Sequence, residues 1–265
     1  MHRFYISPEN WNPNALILSG SEAHHAKNVL RMERGEKALL FNGRGREITA
    51  EIVDLGRDEI HLRNLFETET RPLRCRITLG QAIPKGKNME LIVQKAVEIG
   101  AAEIAPLISE RTIVNLDVQD AAQKQSKWQA VAIEAAKQCG QNWLPQVQVP
   151  RRLRDFFGDV ATGSWPAPRE GASHRDAATT FDLRLMGSLQ ADAMHLKEIL
   201  AEHEKQHRRL PASVLMLVGP EGDFTPAELA LAKSHGCRPI TLGPIILRVE
   251  TAAIYCLSIL SYELM

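Results

Sequence analysis

The sequence lacks most of the features that would name a function at once. It has no charge imbalance: 32 Lys and Arg stand against 32 Asp and Glu. Bulk electrostatics therefore announces no nucleic-acid partner, and only a local basic face could serve one. No apolar run is long enough to span a bilayer, which excludes a helical membrane protein. The start, MHRFYISPEN, has no secretory h-region and does not read as a transit peptide, so a cytoplasmic protein is expected. The four cysteines, Cys75, Cys139, Cys237 and Cys256, are far apart and form no C-x-x-C pair. Reduced, buried thiols are expected rather than a disulfide framework. No H-E-x-x-H and no Cys/His zinc spacing occur, so no metal is expected. The phosphate-binding fingerprints G-x-G-x-x-G and G-x-x-x-x-G-K-[ST] are absent as well.

What is present is a globular composition of 44% hydrophobic and 24% charged residues over 265 positions, enough for one large domain or two modest ones. The first part reads as β-rich. Strand candidates at 3–6, 15–18, 37–41, 47–55 and 59–66 surround one short helix, SEAHHAKNVLRM, beginning at Ser21. Close strand spacing around one helix predicts a small barrel. From Cys75 the rhythm becomes strand, helix, strand. CRITLGQAI, a helix from Asn88 to Ile99 stopped by Gly100, and EIAPLIS form a βαβ unit and predict a parallel sheet. A long helix spans 119–139, a strand 183–186 and a polar-faced helix 192–207. The Ala-, Ser-, Gly- and Pro-rich stretch 161–180 reads as a surface loop. The expected domains are 1–72 and 73–265, divided near Thr70-Arg71-Pro72.

Two loops near the C-terminal end carry the chemistry. Gly219-Pro220-Glu221-Gly222-Asp223-Phe224 follows the continuous apolar run Val214–Val218, and Leu242-Gly243-Pro244-Ile245-Ile246-Leu247-Arg248 follows a short strand. In an open α/β sheet, ligands bind beyond the carboxyl ends of the strands. Glycines at 219 and 222 let backbone approach a ligand. Glu221 and Asp223 would repel a pyrophosphate, so a cationic or neutral ligand such as S-adenosylmethionine fits better. Thr225, Pro226 and Glu228 form a helix start with a capping box. The last helix, 251–264, is apolar nearly all round and must be buried in a core or at a subunit interface.

GPEGDFTPAE followed by LGPIILRVETAA resembles the 16S rRNA (uracil-N3)-methyltransferases, the RsmE family of the SPOUT superfamily. KGKNMELIVQKAVEIGAAEIAPLISERT and KWQAVAIEAAKQCGQNWLPQV resemble the family's first βαβ unit and central helix, and RFYI and HHAKNVLRMERGE resemble its PUA-like RNA-binding barrel. The resemblance implies an α/β fold: a SPOUT-type knotted parallel-sheet domain at 73–265, preceded by the PUA-like β-barrel at 1–72. It implies a homodimer that uses S-adenosyl-L-methionine to methylate N3 of a uridine in the decoding region of 16S rRNA, in the small ribosomal subunit. A knotted methyltransferase acting on another RNA atom, such as a ribose 2′-hydroxyl, and a non-catalytic RNA-binding module are the alternatives.

The resemblance assigns cofactor contacts to Met186, Gly187, Leu217, Gly219, Pro220, Glu221, Gly222, Leu242, Gly243, Ile246 and Leu247. Arg248 is the candidate for stabilising charge on the uracil. Glu221 or Glu250, or solvent, takes the N3 proton. Arg3, Lys27, Arg31, Arg34, Arg44, Arg46 and Arg111 are the candidate RNA contacts. The chain departs from the family pattern at Ile245 and Gln141, where arginine is common, at Val249, where threonine is common, and at Asp223, where glycine is common.

Overall fold

The computed structural model describes residues 1–112, 117–162 and 181–265. The loop expected over 161–180 therefore lies outside the described residues from position 163 onward. Two compact units result, Met1–Pro72 with Ile133–Leu144, and Leu73–Ala132 with Pro145–Met265.

In the first unit, β1 (His2–Tyr5), β2 (Leu16–Ser19), β3 (Lys37–Phe41), β4 (Arg46–Leu55) and β5 (Glu59–Glu69) form one sheet in the order β1-β3-β4-β5-β2. Strand β1 runs parallel to β3, and the other pairs are antiparallel. Side chains alternate along β4, so Ile48, Ala50 and Ile52 turn inward. They meet Phe4, Leu16, Leu18, Leu40 and Ile60 in the core. Register shifts at Thr49/Ala50 and Ile52/Asp54 on β4 add local twist and curl the sheet. Helix α1 (Gly20–His24) continues as a wide turn over His25–Val29 and buries Ala23 and Ala26. The expected helix is thus split in two, and it ends where Arg31 takes a left-handed φ of 54°.

The second unit alternates strands and helices: β6 (Arg76–Ala82), α2 (Asn88–Ile99), β7 (Glu103–Ile108), α3 (Val118–Cys139), β8 (Gln146–Val147), β9 (Arg151–Arg152), α4 (Leu153–Thr162), β10 (Leu183–Gly187), α5 (Leu196–His207), β11 (Ser213–Val218), α6 (Pro226–Ser234), β12 (Arg238–Ile240) and α7 (Val249–Leu264). The strands order as β12-β10-β11-β6-β7-β8, with β9 also on β7, and every described pair is parallel. The apolar run of β11 lies in the middle, buried on both faces as its composition requires. It approaches β6 so closely that a Cβ on Gly80 would overlap Leu217 Cδ2, which is why β6 carries glycine there. The chain builds β6 to β9 outward, crosses back to β10, and inserts β11 between β10 and β6. The carboxyl ends of β6, β10 and β11 thus meet at the place where strand order reverses.

Three elements escaped the sequence reading. Strands β8 and β9 are two residues each, too short for a periodicity to register. Helix α4 begins within the basic stretch Arg151-Arg152-Leu153-Arg154, whose first two residues form β9, and that stretch masked the helix's buried face of Leu153, Phe156, Phe157 and Val160. Helix α5 begins at Leu196, not at Asp192. The backbone of Met194 pairs instead with β12, donating to Pro239 O at 3.1 Å and accepting from Thr241 N at 3.0 Å. The end of α3 and the residues after it join the first unit: Lys137 Nζ lies 3.1 Å from Glu22, and Trp143 Nε1 donates to Thr70 O at 2.9 Å.

Candidate active site

Three loops at the carboxyl ends of β10, β11 and β12 close one cleft of about 480 Å³. Gly187, Ser188 and Leu189 come from the end of β10. Val218, Gly219, Pro220, Glu221 and Asp223 follow β11. Leu242, Gly243 and Ile245–Arg248 follow β12, and Val249, Glu250 and Ala252 open α7. Asn88, the first residue of α2, completes the lining.

Local chemistry explains the loops after β11 and β12. Pro220–Asp223 is a tight turn in which Asp223 N donates to Pro220 O at 2.9 Å. Asp223 adopts a left-handed φ of 62°, where its carboxylate accepts from Phe224 N at 2.7 Å. Glycine adopts that conformation freely, and aspartate is among the few other residues that tolerate it. The turn is anchored behind by the expected capping box: Thr225 Oγ1 accepts from Glu228 N at 3.3 Å, and Glu228 Oε2 accepts from Thr225 N at 2.9 Å. Glu228 Oε1 also accepts from Glu110 N at 2.9 Å, and Arg111 donates to Gly222 O. The β12 loop turns at Gly243, φ 103°, and leads into α7 with Arg248 at the N-cap. No side chain caps α7. The start of α7, with Val249, Glu250 and Ala252 in the lining, thus brings uncapped backbone N–H groups and the positive end of a helix dipole to the cleft.

The cleft has a divided character. Leu242 and Leu247 are half-buried on its wall, while Leu189, Ile245 and Ile246 are 63%, 73% and 77% exposed at its rim. Against these stand the Asp223 carboxylate, bonded within its own turn, and two more, each with one oxygen engaged. Glu221 Oε1 accepts from Lys85 N at 2.8 Å, and Glu250 Oε2 accepts from Asn88 Nδ2 at 3.2 Å. Neither is paired with Arg248, whose exposed guanidinium has no ion-pair partner among the described residues. A cation engaged in no ion pair, beside an uncapped helix start, is suited to an anion that forms during a reaction.

Of the residues expected to touch a cofactor, Gly187, Gly219, Pro220, Glu221, Leu242, Gly243, Ile246 and Leu247 line the cleft. Met186 and Leu217 are fully buried in the core behind it, and Gly222 faces Arg111 instead. Arg248, Glu221 and Glu250 come together in the same cleft. Asn88, Ser188, Leu189, Val218, Val249 and Ala252 were missed as lining residues, and Asp223 and Ile245, placed in the two loops but assigned no contact, line the cleft as well. The rule that ligands gather at strand ends could have included Asn88, since it follows the loop after β6.

In the first unit, Arg3 is not a surface cation. Its side chain is 9% exposed, lies 3.2 Å from Glu47, and stacks 4.4 Å from the centroid of Phe41. Burial lowers its pKa, against the opposing effect of Glu47. Arg31 and Arg34 are exposed, as is Lys27, which donates to Gly56 O at 3.0 Å. Arg44 is half-buried, and exposed Arg46 lies 3.7 Å from Glu67.

Residues 71–261 match the RNA methyltransferase domain family, and residues 18–63 match the RNA methyltransferase PUA domain. The chain is 30% identical to ribosomal RNA small subunit methyltransferase E of Bacillus subtilis, over 93% of this chain and 89% of that protein. The chain belongs to the ribosomal RNA small subunit methyltransferase E family. The Synechocystis member is likewise 30% identical, over 95% of this chain and 74% of its own length. Two solved structures have the same fold. The Neisseria gonorrhoeae methyltransferase E, bound to S-adenosyl methionine, superposes with a TM-score of 0.79 at 31% identity, covering 99% of this chain and 98% of that one. A Legionella pneumophila protein in complex with the same cofactor gives 0.80 at 35% identity, covering 98% and 97%. Within the methyltransferase E family, then, this chain carries the RNA methyltransferase domain on its seven-stranded sheet and the PUA domain on its curled sheet.

Proposed function

We propose that this methyltransferase E family member uses S-adenosyl-L-methionine to methylate N3 of a uridine in the decoding region of 16S rRNA. One observation carries the reading: in a chain of this family, the loops after β11 and β12 line a single cleft that also contains Arg248, Glu221 and Glu250. The cleft suits the cofactor. Its volume of 480 Å³ lies in the range of small-molecule sites. Leu242, Ile246 and Leu247 offer an apolar wall for adenine, and backbone at Gly187, Gly219 and Gly243 permits close approach. The carboxylates oppose a phosphate and favour a cation. When bound, the cofactor supplies an electrophilic methyl group on a sulfonium.

The protein's own groups then act on the uracil. N3 becomes nucleophilic when it loses its proton, which leaves through Glu221 or Glu250, each with an oxygen free of the bonds described above, or to solvent. The negative charge that results spreads to O2 and O4. The Arg248 guanidinium and the first N–H groups of α7 stabilise it. Positioning supplies much of the remaining acceleration. The target base must be unpaired or extruded for N3 to be reached, which is a task for the PUA domain and its exposed Lys27, Arg31 and Arg34. A trefoil knot in the loops around the cleft and a cytoplasmic homodimer complete the reading. The exposed Tyr255 and Tyr262 on α7 support the dimer, since aromatic side chains are enriched at interfaces.

Digested 16S rRNA from a strain lacking the gene tests the chemistry by mass spectrometry. 3-Methyluridine should be lost and should return when the purified enzyme and cofactor are added to small subunits from that strain. Persistence of 3-methyluridine in the deletion strain refutes the assignment.

A further inference from the structure

The carboxyl edge of the parallel sheet continues past the cleft. Moving away from β11, the next strand ends belong to β6, β7 and β9, held in register by the pairs Val218–Gln81, Ala82–Leu107 and Ile108–Arg152. Each strand adds about 4.8 Å, so the edge beyond the cleft extends roughly 14 Å. Each of these ends presents an exposed cation: Lys85 and Lys87 after β6, Arg111 after β7, and Arg152 in β9. The loops are joined to the cleft itself. Lys85 N–H donates to Glu221, and the Arg111 side chain donates to the carbonyl of Gly222. Arg151 is turned to Asp159 on α4, so alternation along β9 sends Arg152 to the other side.

We propose that Lys85, Lys87, Arg111 and Arg152 form a track for the phosphates of the RNA strand that flanks the target nucleotide. The track rests on the function proposed above and assigns the methyltransferase domain its own share of RNA binding, separate from that of the PUA domain. Three carboxylates between the cleft and Arg111 each have a protein donor. Glu221 accepts from Lys85 N, Asp223 from Phe224 N, and Glu110 from Thr225 Oγ1 at 3.0 Å. Among the described residues at 83–87, 109–112 and 151–152, none exposes a large apolar side chain. A protein partner would need such side chains for an interface core, whereas a polyanion needs only spaced cations.

The test uses Lys85→Gln/Lys87→Gln/Arg152→Gln, which leaves the Arg111 bond to the cleft loop intact. Binding to small subunits from the deletion strain is measured between about 50 and 200 mM KCl, with turnover alongside. Each phosphate contact on a single strand contributes about 0.7 to the slope of log affinity against log salt, so the slope should fall by about 2. KM for the subunit should rise roughly tenfold or more, with kcat at saturation and cofactor affinity unchanged. The charge-preserving set Lys85→Arg/Lys87→Arg/Arg152→Lys should retain the wild-type slope. An unchanged slope and KM in the glutamine variant, or an equal loss in the charge-preserving set, overturns the track. Failure of the wild-type enzyme to methylate these subunits overturns the underlying function instead, so the two failures are distinct.

Discussion

Glu228 is the residue on which the β11 loop depends, and its replacement by glutamine gives a prediction that can be worked from geometry. The side chain is 6% exposed. Its two oxygens accept from two different backbone donors, Thr225 N and Glu110 N, both at 2.9 Å. A carboxylate can accept on both sides, but an amide has one acceptor and one donor group. In Glu228→Gln, whichever way the amide is turned, an NH₂ faces a backbone N–H, and one donor loses its partner. The side-chain volume is nearly unchanged, so no cavity term enters. An unpaired buried donor costs about 1–3 kcal/mol, and the loss of a charged acceptor places the effect near 2 kcal/mol. For a unit of this size that corresponds to a fall in Tm of roughly 4–8 °C. Urea unfolding and thermal scans measure the loss. Calorimetric titration with the cofactor should show weaker binding, because the turn carrying Gly219–Asp223 is held by these bonds. Thr225→Ala should cost less, about 1 kcal/mol, as a single cap does. A loss below about 0.5 kcal/mol in Glu228→Gln, within the range of an ordinary surface substitution, would refute the claim that both bonds matter.

Arg248→Ala should lower kcat by about 10²–10³-fold while leaving cofactor affinity nearly intact; equal losses in both would make its role structural. Burial pushes the thiols of Cys75, Cys237 and Cys256 up to about 12, whereas Cys139 is exposed, so iodoacetamide at pH 8 should modify Cys139 first and the other three only on unfolding. The bond from Arg209 lowers the pKa of Asp182, helped by Ala212 N, which donates to Oδ2 at 2.7 Å. A depressed carboxylate adds stability above its unfolded pKa, so this contribution should be complete at neutral pH and disappear as pH falls below the usual aspartate range. Asp182→Asn should remove that part of the acid dependence, as measured by urea midpoints across pH; an unchanged acid limb would sink the assignment.

Sequence alone determined the features that depend on near neighbours. The continuous apolar run Val214–Val218 reads as a strand buried on both faces. Thr225, Pro226 and Glu228 could only start a helix, and Gly100 and Gly236 mark helix ends where φ is 91° and 79°. Alternating strands and helices from Cys75 implied a parallel sheet, and paired glycine loops at strand ends implied a ligand cleft. Tertiary structure decided what depends on distant partners. The order β12-β10-β11-β6-β7-β8 is a matter of which strands find each other, and periodicity is blind to it. Met194 left the predicted helix because its backbone found β12, and Arg3 left the predicted RNA surface because Glu47 and Phe41 enclosed it. Above all, Asn88 and Glu250, 162 positions apart, share a hydrogen bond in the cleft. No local pattern encodes that contact, because it arises only when the start of α2 and the start of α7 are brought to one end of the same sheet.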